Sequence, residues 1–264
     1  YFVSLSLNLL NTHIYILYMR EDFMQIFRTA DYFEASKKAA SIIASQVILK
    51  PNAILGLATG STPIKTYELL VRMYEAGDLD FSQISTINLD EYRGLEATHK
   101  QSYRYFMNQH LFDHVNIDKA NTYLPDGMEP DSIKACKEYE AVIKNSAGID
   151  LQVLGLGHNG HIGFNEPSDS FSIGTHCVDL TASTIEANKR FFNSIEEVPK
   201  QAYTMGIASI LSAKKILLLV SGEDKAAILA KAIKGKVTPE VPASILQLHQ
   251  DVVVVADEKA LLGM

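Results

Sequence analysis

The sequence has few cysteines, and this scarcity limits the classes of protein it can represent. Among 264 residues there are two, Cys136 and Cys177. They lie far apart in the chain and follow neither a metal-ligand spacing nor the spacing of a redox motif. Two free thiols are typical of proteins kept in a reducing compartment, and we therefore expect a cytoplasmic protein without structural disulfides.

Positive charge is also scarce. The chain has 24 lysines and arginines against 31 aspartates and glutamates, a formal net charge of -7, and basic residues form no block of any length. Nucleic acid and anionic membrane surfaces are therefore not expected as partners. An anionic substrate would have to be held by a few placed donors rather than by a general positive field.

Internal repeats and low-complexity linkers are missing as well, and the 47% hydrophobic content is enough for one large core, so we expect a single domain. Residues 1–18 are apolar, but they lack the basic start and the small-residue cleavage site of a signal peptide, and polar residues interrupt them. Met19 and Met24 follow. We predict that residues 1–23 form a non-native or disordered extension and that residues 24–264 form the folded domain.

Apolar runs alternate with segments of helical periodicity along the rest of the chain. The runs predict strands at 53–58, 84–89, 151–157, 215–220 and 252–256. The periodic segments predict helices at 31–49, 66–75, 102–112, 131–144 and 225–234. This order indicates a single-domain α/β fold: a mostly parallel, doubly wound (Rossmann-like) sheet with helices on both faces. Ligands of such sheets bind outside the carboxyl ends of the strands.

A small polar turn, Thr59-Gly60-Ser61-Thr62-Pro63, joins the first of these strands to a helix. Backbone amides and hydroxyls at the start of a helix can bind a phosphate. The turn lacks the lysine of a P-loop and the three glycines of a dinucleotide fingerprint, so neither ATP nor NAD is indicated. A plain helix cap would have much the same sequence, and both interpretations stay open at this point.

Asp90 follows the strand predicted at 84–89 and is a candidate catalytic carboxylate. Core packing does not explain a carboxylate at the end of a buried strand, although a helix cap or an ion pair with Arg93 would. The neighbouring Glu91 is interpreted as structural.

The stretch from Leu154 to Pro167 has the highest density of polar groups among glycines. It contains His158, Asn159, His161, Asn165 and Glu166. A histidine with a carboxylate five residues away can form an oriented acid–base pair that titrates near neutrality. A metal site formed by His158 and His161 is an alternative, although no cysteine or third histidine accompanies them.

Two basic residues, Arg190 and Lys225, are candidate partners for a substrate phosphate. Residues 168–199, with a helical stretch near 184–192, form a candidate lid. The set contains one carboxylate and one oriented histidine but no activated serine or cysteine. It suits proton transfer beside a carbonyl, and sugar-phosphate isomerisation is the natural reaction class.

Four segments resemble the glucosamine-6-phosphate deaminase (glucosamine-6-phosphate isomerase) family in the same order. They are 57–63 (LATGSTP), 88–92 (NLDEY), 155–167 (GLGHNGHIGFNEP) and 246–249 (LQLH). The resemblance extends over nearly all of the chain from about Met24. It implies conversion of glucosamine 6-phosphate and water to fructose 6-phosphate and ammonia, in amino-sugar catabolism, without a metal or an organic cofactor.

The resemblance also implies roles for single residues. His161 would open the sugar ring, Glu166 and Asn159 would orient it, and Asp90 would move a proton from C2 to C1. The phosphate would be held by the turn and the two basic residues: Thr59, Gly60, Ser61, Thr62, Arg190 and Lys225. Residues around 181–200 would form the lid.

Two departures from the family pattern affect the expectations. Some members have aspartate where this chain has Asn159. In this chain the surroundings of His161 therefore have one negative charge fewer than in those members. Allosterically regulated hexameric members look to have basic residues at the positions where this chain has His176 and Val178. We therefore expect a monomer without an allosteric activator. Alternatives are a 6-phosphogluconolactonase-like hydrolase, a non-catalytic sugar-phosphate sensor and a metal-dependent hydrolase.

Overall fold

A computed structural model of the chain describes residues 24–189, 192 and 194–264. The predicted extension at 1–23 lies outside these residues, and so does Arg190. Among the described residues, no helix is both long and apolar enough to span a bilayer.

The described residues contain a parallel sheet and a smaller antiparallel sheet. The strands are β1 (Met24–Thr29), β2 (Ile54–Leu57), β3 (Ser85–Asn88), β4 (Asp90–Tyr92), β5 (Thr122–Tyr123), β6 (Leu151–Leu154), β7 (His176–Asp179), β8 (Gln201–Thr204), β9 (Ile216–Val220) and β10 (Val252–Asp257). The α-helices are α1 (Tyr32–Leu49), α2 (Ile64–Glu75), α3 (Tyr103–His110), α4 (Ser132–Asn145), α5 (Ala182–Asn188), α6 (Ile207–Leu211) and α7 (Ala226–Lys234). Short 3-10 turns occupy Phe112–His114, Lys119–Asn121, Glu223–Lys225 and Pro242–Leu248.

The large sheet has the order β1-β10-β9-β6-β2-β3-β5, and every adjacent pair is parallel. Alternate residues of one strand enter different cores: Leu217 and Leu219 pack with α1, α2 and α3, whereas Ile216 and Leu218 pack with α4, α6 and α7. Because successive side chains of a strand point to opposite faces, a sheet covered on both faces requires continuous apolar strands. The predicted α/β sheet with helices on both faces is confirmed.

Local signals place several helix boundaries. The Asp31 carboxylate accepts the Glu34 N–H at 2.9 Å and caps α1, and Asp131 caps α4 in the same way. The five helices and five strands expected from periodicity all occur, with ends that differ by a few residues.

The antiparallel sheet β4-β8-β7 was not expected from the sequence. Its first strand continues directly from β3, and its last lies in the segment that the sequence indicated only as mixed and polar. The carboxyl half of that segment contains α5, which ends at Asn188. This second sheet extends the chain beyond the carboxyl edge of the parallel sheet, where Asp90 begins β4.

Candidate active site

A cavity of about 510 Å³ opens at the carboxyl edge of the large sheet. It lies between β2 and β6, where the connections leave in opposite directions along the sheet. This is the position at which open α/β sheets bind ligands. Segments that follow β2, β3, β6 and β9 line it together with residues of α5.

Most of the predicted site residues meet at this cavity. Its lining includes Thr59, Gly60, Ser61, Thr62, Asp90, Asn159, His161 and Lys225. Glu166 lies behind His161 and contacts it. The structure therefore gathers residues that are up to 166 positions apart in the sequence into one crevice, apart from Arg190, which lies outside the described residues.

The turn at 59–62 is braced from beneath by two tyrosines that the sequence did not single out. The Tyr32 hydroxyl lies 3.1 Å from the carbonyl oxygen of Ser61 and 3.0 Å from that of Thr62, and the Tyr67 hydroxyl donates to the Ala58 carbonyl at 2.6 Å. Pro63 occupies the cap position of α2, and its side chain makes no capping hydrogen bond. The two tyrosine hydroxyls thus hold the turn through its carbonyl groups.

Asp90 is only 6% exposed, although it faces the cavity. Burial, followed by the negative charge of Glu91, raises the pKa of Asp90 to about 8. Arg93, the ion-pair partner considered from the sequence, donates instead to the Gln201 side chain at 2.5 Å and the Pro130 carbonyl at 2.6 Å. Asp90 therefore has the properties of a carboxyl group that can exchange a proton near neutral pH.

The Glu91 carboxylate binds backbone groups, in agreement with its interpretation as a structural residue. Its carboxylate accepts the backbone N–H groups of Tyr92, Tyr103 and Arg104 at 2.8, 2.9 and 2.9 Å. Burial raises the pKa of Glu91, while these three donors and the Arg104 guanidinium act in the opposite direction. The carboxylate caps α3 and fixes that helix beside β4.

His161, Glu166 and Asn159 form one hydrogen-bonded group. Nδ1 of His161 lies 3.3 Å from Oε2 of Glu166, and the Asn159 amide donates to the same oxygen at 2.5 Å. The Asn159 side-chain oxygen accepts the His161 backbone N–H at 3.2 Å. Asn159 thus bridges the histidine backbone and the carboxylate, and its amide donor suits an ionised Glu166 where an aspartate would add a second negative charge.

Glu166 is held as an ion by its neighbours. Its side chain is 7% exposed, and burial by itself raises its pKa. Hydrogen bonds from His161, Thr184 and Asn159, together with the attraction of His161, outweigh burial, and the net pKa of Glu166 lies below its ordinary value. An ionised carboxylate on Nδ1 orients the imidazole and leaves its other nitrogen for chemistry.

Two glycines let the segments around the cavity approach one another closely. A Cβ on Gly157 would lie 2.3 Å from the His161 ring, so the ring packs directly on the Gly157 backbone. Gly163 has a φ of +58°, and a Cβ there would lie 2.9 Å from the Thr204 hydroxyl and 3.5 Å from an Asp90 carboxylate oxygen. Position 163 therefore requires glycine both for its conformation and for the space beside Asp90.

The sequence analysis missed several residues that line the cavity. They are Tyr103, Thr184, Asn188 and Ser221. The Tyr103 ring stacks on Phe164 at 6.0 Å between centroids, and the Thr184 hydroxyl donates to Glu166 at 2.5 Å. Each is brought to the cavity by α3, α5 or the end of β9, and an isolated tyrosine, threonine, asparagine or serine carries no spacing signal that could have identified it.

The other polar residues of the 155–166 loop have separate roles. The amide of Asn165 donates to the carbonyl groups of Ile162 and Met205 at 2.9 Å each, which ties the loop to the end of β8. His158 lies 2.7 Å from Asp224, which also lines the cavity. The two loop histidines therefore have different carboxylate partners, an arrangement that differs from a shared metal site.

Comparison with known proteins agrees with this geometry. Residues 32–255 match the family model of glucosamine-6-phosphate isomerases/6-phosphogluconolactonase. The chain belongs to this family. A glucosamine-6-phosphate deaminase of Lachnoclostridium phytofermentans is 58% identical over 88% of this chain and 98% of its own length. One from Clostridioides difficile is 56% identical over 90% of this chain and 95% of its own.

Solved structures of the family separate its two branches. A monomeric glucosamine-6-phosphate deaminase superposes with a TM-score of 0.88 at 45% identity, covering 90% of this chain and 98% of the other. The 6-phosphogluconolactonase of Thermotoga maritima has a TM-score of 0.70 at 21% identity, covering 89% of this chain and all of the other. The second similarity concerns the fold alone, whereas the deaminase relatives share the sequence as well.

Proposed function

We propose that this chain is a glucosamine-6-phosphate deaminase that converts glucosamine 6-phosphate and water to fructose 6-phosphate and ammonia in amino-sugar catabolism. The observation that supports this most directly is the placement of Asp90 and the His161–Glu166 pair on one cavity with the 59–62 turn and Lys225. The His161–Glu166 pair serves ring opening, Asp90 serves isomerisation, and the turn binds the phosphate.

Ring opening is the task of His161. Its imidazole takes the proton of the anomeric hydroxyl and gives a proton to the ring oxygen, which breaks the bond between C1 and that oxygen and leaves an aldehyde. Glu166 and Asn159 orient the ring for this transfer. Because Glu166 stays ionised, it stabilises the imidazolium that forms between the two proton movements.

Isomerisation is the task of Asp90. Its carboxylate takes the proton from C2 and returns it to C1, while O1 gains a proton and the C2 amine loses one, so the aldehyde becomes an alcohol and the amine becomes a ketimine. Water then adds to C2 of the ketimine, and ammonia leaves as the C2 carbonyl of fructose 6-phosphate forms. A pKa of about 8 makes Asp90 a stronger base than an ordinary aspartate once it is ionised. The mechanism uses neither a metal nor an organic cofactor.

The phosphate group is assigned to the backbone amides and hydroxyls of Thr59, Gly60, Ser61 and Thr62, with Lys225 as a charged partner. Arg190 is proposed for the same role by its position in the sequence. The segment around α5 is proposed as the lid, since Thr184 and Asn188 line the cavity.

We also propose that the enzyme acts as a monomer without an allosteric activator, on a sugar phosphate and with neither nucleic acid nor membrane as a partner. The structural relative at 45% identity is a monomeric deaminase. His176 and Val178 stand where activated hexameric members look to have basic residues. A cytoplasmic location is proposed because Cys136 and Cys177 are free thiols.

The test is release of ammonia and fructose 6-phosphate from glucosamine 6-phosphate, with chelator present. Asp90→Asn is expected to lower kcat by about 10²–10⁴-fold because it removes the base. Asp78→Asn, the same change at an exposed site, is the control. A folded wild-type protein that releases no ammonia would refute the function, and an Asp90→Asn enzyme that keeps more than about a tenth of the rate would refute the role of Asp90.

A further inference from the structure

The part of the cavity assigned to the phosphate contains an unfavourable charge. Among the described residues that line the cavity, Lys225 is the one lysine or arginine, whereas the carboxylates are Asp90 and Asp224. Asp224 directly precedes Lys225, and its side chain is 58% exposed at the rim. A carboxylate next to a bound phosphate would repel it and would offset part of the attraction of Lys225.

The His158 side chain contacts this carboxylate. Its Nε2 lies 2.7 Å from Oδ2 of Asp224. An ionised carboxylate only accepts hydrogen bonds, so Nε2 carries the proton of this contact. The bond joins the loop that follows β6 to the turn that follows β9, and these two strands are neighbours in the large sheet.

We propose that His158 is a specificity-determining residue: it holds and screens Asp224, so that the turn at 59–62 and Lys225 can accept a phosphate monoester dianion. The identity of the sugar rests on the proposed function, whereas the class of the anion follows from the composition of this end of the cavity. His158 acts on the affinity for phosphate, because nothing in the mechanism places it at the reacting atoms.

The same contact could be an ordinary surface ion pair, and the two interpretations make different predictions. Exposed pairs contribute little to stability, so neither interpretation requires a change in thermal stability when the pair is broken. Only the screening role requires that loss of His158 weakens phosphate binding and that loss of Asp224 cancels this effect. A double-mutant cycle separates them.

The experiment compares wild type, His158→Ala, Asp224→Asn and the double variant. Two quantities are measured: the KM for glucosamine 6-phosphate and the dissociation constant of inorganic phosphate, the second by calorimetry. His158→Ala is expected to raise both by about three- to tenfold, the size of one charge a few ångströms away in a watery cleft. Asp224→Asn by itself is expected to leave both constants equal to or below those of wild type.

The double variant decides the proposal. Its KM and its dissociation constant for phosphate are expected to lie within about twofold of those of Asp224→Asn, because the carboxylate that His158 screens is absent from both variants. The effect of His158→Ala is also expected to shrink at about 0.5 M KCl, where the screening length is only about 4 Å. Lys225→Ala serves as the positive control, since it should weaken phosphate binding in either background.

Three results would overturn the proposal: His158→Ala with unchanged constants, a double variant as weak as His158→Ala, or a wild-type protein that does not bind phosphate. The phosphate measurement does not depend on catalysis. Binding without deamination would therefore refute the proposed function while the cycle still tests the role of His158.

Discussion

At the scale of single residues, we expect the buried carboxyl group of Asp90 to make the proposed reaction dependent on pH. Its pKa is raised to about 8, by burial first and by Glu91 second. A general base works only when ionised, so kcat/KM should rise with pH and level off above about 8. A pH–rate profile of the wild type tests this. An acid limb centred below about pH 6 would contradict the assignment of Asp90 as the base.

Glu91→Gln offers an independent check on the cause of this shift. Removing the neighbouring negative charge should lower the pKa of Asp90 and move the acid limb to lower pH. The pH at which the acid limb lies depends only on the active enzyme molecules. A smaller amount of folded protein would lower the rate at every pH but would not move the limb.

The same group should reduce stability at the pH where it is active. The pKa of Asp90 is higher in the folded than in the unfolded chain, so its contribution to stability is present below about pH 4 and is lost as the pH rises through about 8. Asp90→Asn cannot ionise and should be more stable than wild type by about 3–5 kcal/mol at pH 8, and by only about 1 kcal/mol at pH 5. Urea unfolding at both pH values measures this, and a difference that does not grow with pH would contradict it.

Gly163 is the position where backbone conformation and active-site space coincide. Gly163→Ala should lower the free energy of unfolding by about 2–4 kcal/mol, because a left-handed residue is strained and its Cβ would press on the Thr204 hydroxyl. Gly148→Ala is the matched control, with a φ of +87° and no atom within 4 Å of the added Cβ. It should cost only about 1 kcal/mol. Equal losses in the two variants would show that crowding at 163 is unimportant.

At the scale of elements, α5 contacts the group of His161, Asn159 and Glu166 through the Thr184 hydroxyl. Thr184 donates to Oε1 of Glu166, while His161 and Asn159 contact Oε2. Thr184→Val should lower kcat by about tenfold, because Glu166 loses a partner that fixes its carboxylate plane, whereas Thr184→Ser should stay near wild type. Steady-state kinetics measure both. Equal rates in the valine and serine variants would remove α5 from the catalytic arrangement.

The antiparallel sheet is the element that brings Asp90 to the cavity. Asp90 pairs with Thr204 in β8, and the Thr204 hydroxyl accepts the Phe164 N–H at 3.0 Å. A small aromatic core of Tyr92, Tyr103 and Phe164 fills the space beneath. Asp90 and the loop at 155–166 are thus fixed to the small sheet as well as to the large sheet, from which they leave at the ends of β3 and β6.

At the scale of the whole molecule, β1 sets how far the amino terminus can be shortened. This edge strand pairs with β10 over six residues, from Met24 to Thr29. Deleting residues 1–23 should leave thermal stability and ammonia release unchanged, whereas deleting 1–29 should destabilise the protein, because β10 loses one of its two neighbouring strands. Thermal melts of the two truncations test this. An inactive or unfolded 24–264 protein would show that the first 23 residues belong to the native structure.

The sequence by itself determined the features that depend on local pattern. Continuous apolar strands and helices of 3.6-residue period predicted the α/β sheet, and the boundaries came within a few residues because caps such as Asp31 are local. The order of the polar segments after the strands also predicted which residues would share one edge, since the carboxyl ends of parallel strands meet there.

Only the tertiary structure decided the features that depend on partners distant in sequence. Strands β4, β7 and β8 are short and mixed in composition, and they form only because pairing and the aromatic core are supplied by residues far along the chain. The pKa of Asp90 follows from burial by those elements, and the choice of Asp224 as the partner of His158 depends on two loops that the fold brings together. Such contacts leave no periodic pattern in the sequence, because their partners come together only in the folded chain.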